Sequence, residues 1–286
     1  MSESPIRWGI LSTANIVASA FLPGLRSAGG GAPAVVGSRD LERARSYAEK
    51  HDIPRAVKGY QAVLDDDSVD AVYIPLPNSL HAEWTVAALE AGKAVLSEKP
   101  LTGNVADAQR VLAVAHDSSG LLWEAFAFQF RKQSEQLERI VSQGEIGAVR
   151  EVQATFHFQI GREDDVRLSS ELEGGALLDV GCYCVRLARF VFRSDPSEAI
   201  AVAGWSRSGV DENMAGVLTF PGDRRLIMSC GIRRWVDRLA RVIGAKGEVT
   251  LTNPYHPGPG DTLTVLHSDG TEADLSTANE GASFQG

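Results

Sequence analysis

Two stretches of this chain carry side chains whose types and order could do chemistry. The first is Gly92-Lys93-Ala94-Val95-Leu96-Ser97-Glu98-Lys99-Pro100-Leu101. A short apolar strand runs straight into a charged Glu-Lys pair followed by proline, and the carboxyl end of a strand is where open parallel sheets bind ligands. Proline fixes its own φ and restricts the residue before it, so Lys99 is aimed rather than merely solvated. The plainer alternative is an ordinary strand end with a surface lysine. The second stretch is Glu173-Gly174-Gly175-Ala176-Leu177-Leu178-Asp179-Val180-Gly181-Cys182-Tyr183-Cys184-Val185-Arg186. Its pattern predicts one mostly buried helix over residues 176–192, with Asp179 and Tyr183 on one face. A carboxylate in so apolar a setting is costly unless it has partners. It could be a working group, or a structural acid tied down through backbone amides or Arg186, with Tyr183 only packing.

The elements that must position these groups are legible on either side. Residues 6–11 read as a buried strand, and Ser12-Thr13-Ala14-Asn15 follows as a turn of small residues opening a helix that carries Ile16, Leu22 and Leu25. Small residues at a helix start let backbone amides approach a phosphate. Ser12, Ala14 and Val17 stand on the G-x-G-x-x-G register, so none of its three glycines is kept, and Pro23 is expected to kink the helix. A second strand, residues 34–37, ends in Ser38-Arg39-Asp40. In dinucleotide folds an acid here binds the free ribose hydroxyls, while an arginine accommodates a 2'-phosphate, so Arg39 with the Ser38 hydroxyl favours NADP over NAD. The alternative leaves Asp40 as a helix cap and Arg39 as a solvated charge. A third strand, residues 71–76, leads into Pro77-Asn78-Ser79-Leu80-His81 and a helix that Asn78 or Ser79 would cap. His81, in its first turn, could face a ligand or simply be packed. A helix over residues 104–116 and a strand over 121–126 complete the alternation, which means a parallel sheet with helices on both faces.

The pattern changes after residue 149. Val152, Ala154, Phe156, Phe158 and Ile160 alternate with Glu151, Gln153, Thr155, His157 and Gln159, as in a half-buried strand. Further strand-like runs follow near 199–207, 214–220, 225–232, 239–243 and 262–267 without crossover helices, so they must pair largely antiparallel. The expected fold class is an α/β Rossmann domain with a parallel sheet, residues 1–124, followed by an α+β domain with an open, mainly antiparallel sheet, residues 125–286. A sheet backed by helices on one side leaves its other face to be polar or covered, which predicts a homo-oligomer.

A formal net charge of -9 and a pI near 5.2 argue against nucleic acid or anionic membrane as a partner. A small neutral or anionic ligand is compatible with this charge. Three cysteines, Cys182, Cys184 and Cys230, have no CxxC spacing and suggest reduced thiols in a cytoplasmic protein, with neither a disulfide framework nor a metal site. Residues 1–7 lack the apolar core of a signal peptide, and no run reaches the length of a membrane span.

With Pro77-Asn78-Ser79-Leu80-His81, Glu98-Lys99-Pro100 and Gly174-Gly175-Ala176-Leu177-Leu178-Asp179-Val180-Gly181-Cys182-Tyr183 in that order, the sequence resembles the glucose-fructose oxidoreductase and inositol dehydrogenase family. The resemblance implies hydride transfer between nicotinamide and a secondary alcohol or ketone of a sugar, cyclitol or related ring. It makes Lys99 and Asp179 catalytic. It also implies a cofactor held by Ser12, Thr13, Ala14, Asn15, Ile16, Ser38, Arg39, Pro77, Asn78, His81, Glu98 and Lys99, and a homodimer or homotetramer. Tyr183, where many members have histidine, looks like the branch containing dihydrodiol dehydrogenase and NADP-dependent xylose dehydrogenase. Phe128-Gln129-Phe130-Arg131-Lys132 departs from that branch's Arg-x-His-Pro type of pattern, so its substrate preference does not transfer. On this reading Lys99 is the main proton acceptor, its pKa lowered by burial and the positive nicotinamide ring, with Tyr183 bonded to the same oxygen and oriented by Asp179. Other readings are a catalytically silent NADP-binding sensor and a nicotinamide-dependent glycoside-cleaving enzyme. The chain ends at Gly286, about where the family begins a last helix, so the expectation is a truncated sequence or one that manages without it.

Overall fold

A computed structural model describes residues 4–118 and 120–276. The chain forms two compact units and passes from the first to the second between Phe126 and Ala127.

In the first unit six strands, β1 (Ile6–Leu11), β2 (Gly31–Ser38), β3 (Arg55–Lys58), β4 (Ala71–Ile74), β5 (Ala94–Ser97) and β6 (Leu122–Glu124), form one sheet in the order β3-β2-β1-β4-β5-β6. Every pairing in it is parallel. The connecting helices are α1 (Leu22–Ala28), α2 (Leu41–Lys50), α3 (Gln61–Leu64), α4 (Asn78–Glu90) and α5 (Val105–Asp117). Both faces of the sheet are buried, which is why its strands are continuous apolar runs. Leu11, Val35, Val72, Ile74 and Val95 pack on one side with Ala88 and Leu89 of α4, while Ile10, Val36 and Tyr73 pack on the other with Val17, Leu22 and Ala48. Strand order reverses between β1 and β4, and such a switch point leaves a crevice at the carboxyl ends of the strands.

Three local expectations change. The first helix passes through a π turn, Val17–Phe21, directly before α1, in whose first turn Pro23 stands, so the irregularity expected of the proline falls in the turn that precedes it. Pro77 rather than Asn78 or Ser79 takes the N-cap position of α4, and no side chain caps it. β3 and α3 form from a segment too short and mixed to show a period.

The second unit contains α6 (Lys132–Ser142), β7 (Val149–Gln159), α7 (Cys182–Phe192), β8 (Glu198–Trp205), β9 (Asp211–Phe220), β10 (Arg224–Gly231), β11 (Arg233–Asp237), β12 (Leu239–Gly244), β13 (Gly247–Thr252), β14 (Leu263–His267) and β15 (Glu272–Asp274). Its nine strands run β15-β14-β13-β12-β7-β10-β9-β8, with β11 also on β7. Among the described residues the β7 and β10 pairing is parallel and the other ladders are antiparallel. One face buries Val152, Ala154 and Phe156 of β7 with Leu226, Met228 and Cys230 of β10. The other face leaves Ile200 79% and Val202 77% exposed on β8, with Val217 and Ile227 beside them in register on β9 and β10. Phe158, expected on the buried face of β7, is only half-buried, whereas His157 of the opposite register is buried beneath the turn into β11.

Among the described residues no helix is long and apolar enough to cross a membrane. The expected site of a last helix follows residues 277–286 and lies outside those described.

Candidate active site

At the carboxyl edge of the first sheet, β5 is fixed by ladders to β4 and β6. The fixation continues past its last residue. The Glu98 amide donates to the Ile74 carbonyl at 3.1 Å, and the Ala125 amide to the Ser97 carbonyl at 2.8 Å. The Tyr73 hydroxyl donates to Glu98 Oε1 at 2.6 Å, while the Lys99 amide faces Glu98 Oε2 at 3.3 Å. Just beyond, the Leu101 amide donates to Glu124 Oε1 at 2.8 Å. The peptide between Lys99 and Pro100 is cis, and Lys99 itself is half-buried. The predicted lysine is therefore held on both sides in sequence by main-chain and carboxylate contacts.

His81 was expected either to face a ligand or to be packed. It is 1% exposed, with Nδ1 at 2.6 Å from the Pro100 carbonyl and Nε2 at 2.7 Å from the Leu76 carbonyl. Carbonyls only accept, so a neutral imidazole can serve one of them and the imidazolium serves both. The ring ties the loop after β4 to the loop that follows Lys99, and its contribution is to position that loop. Pro77 and Asn78 stand at the start of α4 beside it.

At the switch-point end, Ser12 has a φ of 149°, a region nearly confined to glycine, so it holds the backbone that the first glycine of the fingerprint would hold. The Ala14 carbonyl accepts from the Val17 amide at 3.1 Å and from the Tyr47 hydroxyl at 3.2 Å, closing the turn. Asn15 is exposed and Ile16 half-buried at the helix start, where the first amides have no intrahelical partner. Thr13 is buried, and its hydroxyl accepts from Arg43 Nε at 2.7 Å. Asp40 caps α2, taking the Arg43 amide on Oδ1 at 3.1 Å, while its own amide faces Ser38 Oγ at 3.3 Å. Arg39 is exposed and, among the described residues, has no ion-pair partner. Asp40 thus serves as the cap that the sequence left as an alternative. Arg43 was missed; its one signal was its place three residues after the N-cap, facing back over the strand ends.

In the second unit the glycine-rich segment is built around two carboxylates. Buried Asp211, on β9, accepts the Leu177 amide on Oδ2 at 2.7 Å. Burial pushes its pKa up, and the amides of Leu177 and Ala176 oppose that shift. Gly175 has a φ of 115°, and a Cβ there would lie 2.2 Å from Asp211 Oδ1. At Gly174 a Cβ would lie 2.3 Å from the Arg167 carbonyl, which accepts the Gly175 amide at 2.9 Å. The predicted single helix begins as a π turn, Leu177–Gly181, before α7. Asp179, in that turn, pairs with Arg167 Nε at 2.7 Å, and Arg186 donates to Gln129 Oε1 at 3.0 Å. Burial lowers the Arg167 pKa, but Asp179 and Asp165 more than offset it and the net shift is upward. Tyr183 is buried in an aromatic cluster, its ring 5.3 Å from Phe156, 5.4 Å from Tyr255 and 5.5 Å from His256. Cys184, buried beside the Tyr255 hydroxyl at 3.3 Å, has its pKa pushed up to about 12 by burial, and burial likewise raises that of Cys230, so these thiols are poor nucleophiles. All three cysteines are free.

Comparison with known proteins bears on both units. Residues 6–126 match the oxidoreductase family with an NAD-binding Rossmann fold, and residues 134–250 match the GFO/IDH/MocA C-terminal domain. D-xylose 1-dehydrogenase (NADP(+)) 2 of Haloferax volcanii is 41% identical over 74% of this chain and 65% of its own length. Human trans-1,2-dihydrobenzene-1,2-diol dehydrogenase is 36% identical over 87% of this chain and 75% of its own. A 3-ketoreductase from Actinomadura kijaniata, solved in complex with NADP and TDP-benzene, superposes with a TM-score of 0.88 at 32% identity, covering 96% of this chain and 86% of that one. On the match of both units, the chain belongs to the GFO/IDH/MocA family of oxidoreductases.

Proposed function

We propose that this protein is an NADP-dependent oxidoreductase acting on a secondary alcohol or ketone of a sugar, cyclitol or dihydrodiol. The observation that carries the reading is the end of β5, where the residues on either side of Lys99 are fixed at the carboxyl edge of a parallel sheet, Glu98 by Ile74 and Tyr73 and Leu101 by Glu124. Relatives named for NADP-linked xylose oxidation, dihydrodiol oxidation and ketoreduction support it.

The residues fit the cofactor. The turn through Ser12, Thr13, Ala14, Asn15 and Ile16 would hold the pyrophosphate at a helix start, and Ser38 and Arg39 would hold a 2'-phosphate. Asp40 points its carboxylate into the α2 cap and so does not oppose that phosphate. Pro77, Asn78 and Glu98, at the strand ends, would hold the nicotinamide half of the cofactor. Bound NADP supplies a two-electron acceptor or donor at C4 of its nicotinamide ring. Lys99 takes the proton of the substrate hydroxyl during oxidation and returns it during reduction. Tyr183, in the second unit, serves as a hydrogen-bond donor to the substrate, and the ion pair of Asp179 with Arg167 fixes the helix turn from which it projects.

The first unit accordingly binds the nucleotide, and the second supplies substrate contacts and the oligomer interface. Ile200, Val202, Val217 and Ile227 make an apolar patch on its open sheet face, which supports a homodimer or homotetramer. Three free thiols, of which Cys182 is half-buried, support a reducing, cytoplasmic setting.

Screening sugars, inositols and dihydrodiols with NADP and with NAD, followed by nicotinamide absorbance, tests the proposal. NADP-linked turnover of at least one of these is expected. NADP binding without turnover of any of them would leave a sensor, and release of a free sugar without net cofactor change would indicate glycoside cleavage.

A further inference from the structure

We infer that Arg238 reads an anionic group on the substrate, so that the protein selects a sugar bearing a carboxylate or phosphate over its neutral counterpart. The inference rests on the oxidoreductase reading and assigns that reaction's substrate class. Arg238 lies between β11 and β12, and its guanidinium stands 5.1 Å above the Phe156 ring. The other stacking partner of Phe156 is Tyr255, 4.8 Å away and within 5° of parallel. Tyr183 meets Phe156 edge-on at 5.3 Å, and His256 does so at 5.9 Å. Phe156 therefore touches both Arg238 and the tyrosine assigned to the substrate.

Among the described residues the guanidinium is not spent on an ion pair, as many of the chain's arginines are. Arg7, Arg167, Arg189, Arg193, Arg233 and Arg241 each pair with a carboxylate. Among the described residues Arg238 has no such partner, and its Nε is buried with no hydrogen-bond acceptor. A buried donor left without an acceptor is costly, and a cation over an aromatic face recovers only part of that cost. The main chain is nevertheless fixed, since the Arg238 carbonyl accepts the Asn253 amide at 2.6 Å. A planar fork held on an aromatic floor with its donors unspent matches a carboxylate or phosphate geometrically. Neutral sugars offer only hydroxyls to it, which accept weaker bonds.

Calorimetric titration of the NADP-loaded protein with D-glucose, D-glucuronate and D-glucose 6-phosphate tests this. Either or both anionic ligands should bind at least tenfold tighter than glucose, the scale of a hydrogen bond to a charged group. Which of the two wins distinguishes a carboxylate from a phosphate. In Arg238→Met, which keeps an apolar side chain on Phe156, the preference should fall to within about threefold. Equal binding of all three ligands by the wild type, absence of binding by all three, or a preference that survives in Arg238→Met would overturn the inference. A preference that vanishes in Arg238→Met while none of the screened sugars, inositols and dihydrodiols is turned over would keep the anion site and sink the oxidoreductase reading, so the two fail separately.

Discussion

Replacing Gly175 by alanine should destabilise the second unit far more than an ordinary surface glycine substitution. Two costs add. At a φ of 115° an alanine backbone is strained, by about 1–3 kcal/mol. Its Cβ would also lie 2.2 Å from Asp211 Oδ1, far inside van der Waals contact, so the carboxylate must withdraw from the Leu177 amide that it holds at 2.7 Å. A buried amide left unsatisfied costs about 1–3 kcal/mol, which brings the expected loss to about 2–6 kcal/mol. That is a large share of a typical domain's stability. Urea unfolding followed by circular dichroism measures it, in the wild type and in an Asp211→Ala background. With Asp211 truncated the steric contact is gone, so Gly175→Ala should then cost only the backbone part. A loss below about 0.5 kcal/mol, or the same loss in both backgrounds, would refute the packing argument. A folded Gly175→Ala protein should also turn over slowly, because Asp179 and Tyr183 project from the helix start that has moved.

Arg39→Ala should weaken NADP binding about tenfold to a hundredfold while NAD binding changes little; equal losses for both would show that Arg39 does not read the 2'-phosphate. Asp70 receives the Arg7 guanidinium at 2.7 and 2.9 Å and the Arg7 amide at 2.8 Å, and these bonds lower its pKa from 3.8 to about 2. The unfolded chain protonates first as pH falls, so the stability from this pair is full above about pH 4 and lost towards pH 2, and Asp70→Asn should flatten acid unfolding in that window. Superimposable acid profiles for the two proteins would remove the pair from the account. Light scattering at micromolar concentration should give a dimer or tetramer that Val202→Glu shifts towards monomer, and a monomeric wild type would contradict the assignment of the open sheet face.

The parts of the fold that the sequence revealed are those set by local pattern. β1 has the bounds expected of it, and β5 with Glu98-Lys99-Pro100 was legible because an apolar run, a charge pair and proline are adjacent in the chain. The strict alternation around Val152 likewise identified β7, although its parallel pairing with β10 depends on strands some seventy residues apart and leaves no local trace. Side-chain partners were the least legible. Asp179 was recognised as an acid needing a partner, but Arg167 lies outside the motif, and Asp211 reaches Leu177 across 34 residues. His81 was visible as a histidine at a strand edge, yet only the folded chain shows its two nitrogens between the Leu76 and Pro100 carbonyls. Ser12 hid the nucleotide fingerprint because a non-glycine residue carries a glycine's backbone conformation there.

The central claim is that Lys99 serves hydride transfer between NADP and a secondary carbinol carbon. Its most direct test uses NADPH carrying deuterium at both C4 positions with the ketone form of a substrate found by the screen, and mass spectrometry of the product. The account predicts one deuterium on the carbinol carbon, and a rate lowered about 10²–10⁴-fold in Lys99→Met with NADPH binding nearly intact. Product without deuterium, or near-full turnover by Lys99→Met, would contradict it.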